Sequence, residues 1–146
     1  MKCRIGLALV FAAITVGSYA QAGPKVTVVF KNNSDMEAVY SPQSRNEMLT
    51  RSFARTAPGI NVAPAGSDTY IVDGKLSPDV TTANVRYTVG NKACKFMSTY
   101  VMGFGKGTRL PQWNKKAEAS GGARCDAKIT RTNPSSHEWT VEFTMR

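Results

Sequence analysis

Few residues in this chain can do chemistry unaided. There is one histidine, His137, there are three cysteines, and only ten acidic residues stand against nineteen lysines and arginines. A zinc site needs several His, Cys or carboxylate donors, and these are too few to supply one. Calcium would want clustered acids, and the acids are scattered. No metal and no cofactor is expected. A C-x-x-C pair is missing, which argues against a redox dithiol. A glycosidase would need two placed carboxylates, yet most of the acids fall at outward strand positions or in turns. His137 lies in phase with Trp139 and reads as a structural or rim residue. A catalytic role would need a nucleophile and an orienting acid beside it. No catalytic residue is assigned, and the balance leans away from an enzyme.

Long apolar runs are equally scarce. The longest, Ile5 to Val16, is about a dozen residues, too short to span a bilayer and the right size for the core of an export signal. Lys2 and Arg4 precede it, and Ala20-Gln21-Ala22 follows as a small-x-small cleavage site. Residues 1–22 therefore read as a cleaved signal peptide, with Gly23 as the new N-terminus and 23–146 as a single β-sandwich domain. Cys3 precedes the apolar run and leaves with the signal. The expected location is the periplasm or outside the cell, with no transmembrane segment. Removing Lys2 and Arg4 lowers the formal charge from +9 to +7. That excess favours an acidic partner, either an acidic protein or an anionic lipid or glycan surface. Export argues against nucleic acid.

Two cysteines remain, Cys94 and Cys125. In an oxidising compartment they are expected to pair, closing a loop of about 30 residues and stabilising the fold by about 3.5 kcal/mol. Phase supports the bond. Val85, Tyr87 and Val89 alternate with polar residues, and Gly90-Asn91 is a Gly-first two-residue turn. Val89 then opposes Lys92, Tyr87 opposes Cys94, and Val85 opposes Phe96. Opposed residues share a face, so Cys94 points inward and Lys95 outward. Cys125 alternates with Arg124 and Asp126 in step with Ala127 and Ile129, which places it on an apolar face too.

The rest of the chain repeats this pattern. Val26, Val28 and Phe30 share a face, followed by the turn cluster Asn32-Asn33-Ser34-Asp35. Asn32-Asn33-Ser34 also has the form of a glycosylation sequon. Met36, Ala38 and Tyr40 alternate, as do Ile60 and Val62, and Thr69 to Val72 forms another strand. Trp139, Val141, Phe143 and Met145 make the clearest strand, paired with 124–131. Residues 42–57 fit either a short helix over about 42–55 starting at Ser41-Pro42, with Met48, Leu49, Ser52 and Phe53 at helical spacing, or an irregular loop with one strand. The sum is an all-β chain: a single antiparallel β-sandwich of about seven or eight short strands, at most one short helix and one disulfide.

Residues 103–124, GFGKGTRLPQWNKKAEASGGAR, read differently. They hold five glycines, a proline and five basic residues. A connection of that length is expected to be functional or disordered. GFGKGT lacks the G-x-x-x-x-G-K-[ST] spacing of a phosphate loop. Phe104 and Trp113, set among Lys106, Arg109, Lys115 and Lys116, form the candidate binding set. Aromatic and cationic groups together anchor protein hot spots or sit at membrane interfaces. Alternatively, Trp113 folds back and plugs the end of the sandwich.

The first functional expectation is an exported, non-catalytic protein that binds or inhibits an acidic protein, such as an enzyme or toxin, through loop 103–124. The second is a binder of anionic membranes or glycans, resembling aegerolysins or lectins in architecture only. The third is a small secreted hydrolase using His137.

Overall fold

The computed structural model describes residues 21–146. All of the expected signal peptide except Gln21 and Ala22 lies outside them. Nine strands and one helix follow in order: β1 (Gly23–Asn32), β2 (Ala38–Tyr40), α1 (Arg45–Phe53), β3 (Asn61–Val62), β4 (Ser67–Gly74), β5 (Val80–Val89), β6 (Lys92–Gly105), β7 (Thr108–Ser120), β8 (Cys125–Thr132) and β9 (Trp139–Met145). They form two packed sheets, ordered β4-β1-β9-β8 and β3-β2-β5-β6-β7. The all-β sandwich is therefore present. No helix among the described residues is long and apolar enough to cross a membrane.

Alternation explains most of the core. Val26, Val28, Phe30, Val141, Phe143 and Met145 are fully buried, and they face Val85, Tyr87, Cys94 and Phe96 from the other sheet. Aromatic stacking joins the layers, with Phe30 lying 3.5 Å from Tyr87 and Phe96 lying 4.7 Å from Phe143 between ring centroids. The Gly90-Asn91 turn sets the β5–β6 register as the sequence predicts: Val89 opposite Lys92, Tyr87 opposite Cys94, Val85 opposite Phe96. Gly90 has φ 57°, a conformation that glycine adopts without steric cost. Cys94 on β6 and Cys125 on β8 form a disulfide with Cα atoms 5.7 Å apart, bolting one sheet to the other. In the β1–β2 turn, the Asn32 amide is wholly buried. Its Nδ2 donates to the carbonyls of Met36, Val62 and Ala63, so in the fold this sequon serves the turn.

Three expectations need correction. The first concerns strand direction. β1 runs parallel to β9, from Val26 opposite Trp139 to Asn32 opposite Met145, so that sheet is mixed rather than purely antiparallel. Alternation reveals which face a residue takes but not the direction of its neighbour.

The second concerns the helix. It begins after Ser44, not at Ser41-Pro42, because Ser44 and Glu47 form a reciprocal capping box. Its buried residues are Glu47 and Thr50, while Met48 is exposed. The helix covers a strand edge rather than a sheet face. β2 stops at Tyr40 and leaves part of the β5 edge unpaired, and there the Asn84 amide donates to Thr50 Oγ1 at 2.9 Å. A helix that satisfies an open edge needs polar groups on its inner side.

The third concerns residues 103–124, which are not a long loop. The β6–β7 hairpin runs from Ala93 opposite Ser120 to Gly105 opposite Thr108, with two residues in its turn. β7 is the strand that raises the count to nine. Pro111 is tolerated within it because β7 lies at the edge of its sheet, paired only with β6.

Breaking the disulfide with Cys94→Ser should lower stability by about 2–4 kcal/mol, read as a shift in denaturant midpoint that reductant reproduces in the wild type. Coincident midpoints with and without reductant would show that the bond contributes nothing. A second outcome concerns Glu47. Burial alone would raise its carboxyl, but the backbone amides of Gln43 and Ser44, together with Arg86 and Lys95, outweigh burial and hold it below the ordinary glutamate value. A depressed folded value means that this stabilisation is present above the unfolded value, near pH 4, and is lost as pH falls through the folded one. Glu47→Gln should therefore cost about 1–2 kcal/mol at pH 7 and progressively less below about pH 4, as urea titrations across pH would show.

Candidate functional site

β5 stops pairing with β6 at Val80 opposite Val101, but β6 and β7 continue together from Met102 opposite Pro111 to Gly105 opposite Thr108. The hairpin end thus overhangs its neighbour. Lys106 (φ 49°) and Gly107 (φ 78°) close it as consecutive left-handed residues, which is how a tight two-residue turn follows the strand twist.

The six predicted binding residues separate along this hairpin. Phe104 stands at the overhang, 78% exposed, the one exposed aromatic among the described residues. The Arg109 guanidinium lies 6.0 Å from its ring centroid and pairs with the Asp79 carboxylate. Lys106 is in the turn, exposed, with no carboxylate partner among the described residues. Phe104, Lys106 and Arg109 are therefore brought together at the tip.

The other three are not part of it. Trp113 is half-buried: its indole Nε1–H donates to the His137 carbonyl at 3.1 Å, and its ring lies 6.0 Å from Tyr100. This is the plug arrangement, made by a strand rather than a folded-back loop. Lys115 donates from Nζ to the Ala127 carbonyl on β8, tying the edges of the two sheets. Lys116 points to the opposite face and pairs with Glu118 at 2.6 Å. Two of the four predicted cations therefore serve the fold or its surface pairs away from the tip.

Behind the tip lies a closed polar and aromatic network. Tyr100 Oη is 3.0 Å from His137 Nδ1, and the two rings stack at 5.4 Å. Trp139 donates from Nε1 to Ser98 Oγ at 2.8 Å, and Ser98 donates to the Asn114 carbonyl. Burial pushes the Tyr100 hydroxyl up, helped by the Asp79 charge and opposed by Arg109. His137 has φ 60°, held by a turn in which Asn133 accepts the amides of Ser135, Ser136 and His137. Its imidazole thus faces a phenol. No group of three or more His, Cys, Asp or Glu side chains among the described residues could hold a metal ion.

Nothing in the sequence singles out Asp79. It reaches the tip from the β4–β5 connection, 30 positions before Arg109, and only the fold brings the two together. Leu110, 48% exposed beside the turn, was readable only once β7 was known to be a strand. The chain matches no protein-family model and no curated protein.

The division between tip and network is measurable. Trp113→Ala should destabilise the fold by about 2–4 kcal/mol, whereas Phe104→Ala should change stability by no more than about 0.5 kcal/mol. Thermal melts of the two variants would distinguish them, and a large loss from Phe104→Ala would make the tip a structural element.

Proposed function

We propose that this is an exported, non-catalytic binding protein that engages an acidic partner through the tip of the β6–β7 hairpin. The observation that carries the reading is Phe104. A phenylalanine 78% exposed on a paired hairpin, with a guanidinium beside it, loses apolar contact with water only when something covers it. A rigid hairpin also presents its side chains at little entropic cost, unlike a floppy loop. The net charge favours an acidic partner, and Lys106 supplies an unpaired cation at the tip.

Export is part of the reading. It is supported by the Lys2/Arg4, Ile5–Val16 and Ala20-Gln21-Ala22 sequence pattern together with the Cys94–Cys125 disulfide, a bond that persists in oxidising compartments. The periplasm or the extracellular space is the corresponding location. An acidic enzyme or toxin would be the partner of an inhibitor of this shape. The sandwich otherwise serves as a frame, with the two sheets holding the hairpin by a disulfide and by the Trp113–His137 contact.

The test is retention. The purified protein, immobilised, should retain an acidic component from a cell-envelope extract, protein or lipid. Phe104→Ala and Lys106→Glu should each abolish retention without changing the melting temperature. Retention that both substitutions leave intact would place the binding surface elsewhere, and no retention of any acidic component would overturn the reading.

A further inference from the structure

The end of the sandwich that carries the hairpin tip has a second contributor. The connection between β4 and β5 lies beside the overhang and is tied to it. The Met102 amide donates to the Asp79 carbonyl at 2.8 Å, and Arg109 pairs with the Asp79 carboxylate. Next to Asp79, Val80 is 40% exposed, and Leu76, which shares a cleft wall with Val80, is 69% exposed. On the hairpin, Phe104 lies on one face and Leu110, opposite Gly103, on the other. Half of the large hydrophobic side chains exposed among the described residues therefore lie on the hairpin end and on the β4–β5 connection and the first residue of β5, two segments joined through Asp79.

Cations accompany them. Lys75 is exposed and packs its ammonium 5.6 Å from the Phe53 ring, and neither Lys75 nor Lys106 has a carboxylate partner among the described residues. The nearby acids are already occupied, Asp79 by Arg109 and Asp73 by Arg55. The two segments thus carry exposed apolar side chains together with two unpaired lysines. A membrane interface selects for this distribution: apolar groups enter the headgroup and upper acyl region while lysine stems reach back to the phosphates.

The backbone suits it as well. Polar backbone groups are costly to bring toward lipid unless they are paired, and those of the overhang are largely paired across the hairpin.

We propose that this end of the sandwich docks on an anionic lipid surface. Phe104, Leu110, Leu76 and Val80 enter the interface, and the unpaired Lys75 and Lys106 meet the lipid phosphates. The proposal rests on the tip being the binding surface and adds the β4–β5 connection and the class of partner.

The experiment is co-sedimentation of the purified protein with vesicles of phosphatidylcholine alone and of phosphatidylcholine with phosphatidylglycerol in equal parts, across a salt series. Binding is expected only to the anionic vesicles and should weaken as salt rises. Phe104→Ala and Leu76→Ala should each reduce affinity by about tenfold, with unchanged melting temperature. Phe104→Trp should show a blue-shifted emission on binding, quenched by brominated lipid.

No binding to either vesicle overturns the lipid assignment. So does binding that Phe104→Ala and Leu76→Ala leave unchanged, since that would be attraction by general charge alone. If vesicles fail but an acidic protein is retained in a Phe104-dependent way, the tip stands as the binding surface and its partner is a protein. If Phe104→Ala alters neither, the tip is not a binding surface at all.

Discussion

The structure depends on the register of β5 against β6. Gly90 lets the chain reverse in two residues, and every inward side chain of the five-stranded sheet follows from where that reversal falls. Tyr87 reaches Phe30, Phe96 reaches Phe143, Cys94 reaches Cys125, and Tyr100 reaches His137 and Trp139. A slip of β6 by one residue would turn Cys94, Phe96 and Tyr100 outward and bring Lys95 into the core. The disulfide therefore does more than shorten the unfolded chain. It can form only in the register that points Cys94 inward, so it also fixes the pairing that the turn selects.

The opposite margin of the sandwich is closed by different chemistry. Where β2 ends, β5 has backbone groups with no strand to meet them, and α1 supplies Thr50 while Glu47 caps the helix and approaches Arg86 at 3.6 Å. Near β7 and β8, the Lys115 ammonium reaches the Ala127 carbonyl. Both closures spend polar side chains on backbone atoms, which is why residues that look solvent-bound in sequence are held in the fold.

The strands that carry a buried face were legible because alternation records burial. Trp139 to Met145 and Val85 to Val89 show it cleanly. β7 was not legible because its inward row, Arg109, Pro111, Trp113, Lys115, Ala117 and Ala119, crosses the thin edge of the sandwich, where little apolar burial is available. Its composition reports an edge, and edges resemble loops. At the candidate site the same limit applies. Aromatic and basic residues were visible, but Phe104 and Trp113 differ only in which neighbours the fold gives them. One ends in water and the other under a carbonyl. Asp79, Leu76 and Val80 carry no local mark, since their relation to the hairpin is made by packing alone.

The parallel pairing of β1 with β9 has a consequence for the life of the chain. β1 lies between β4 and β9, so one flank of an internal strand is met only by a segment far along the chain. A polypeptide that emerges N-terminus first holds Val26, Val28 and Phe30 without that neighbour until Trp139 to Met145 arrive. Contacts this distant are slow to form, because a long loop must close before they contribute. The sheet that holds β1 therefore closes only when β9 reaches it across most of the domain, so the sandwich assembles as a whole rather than from one end.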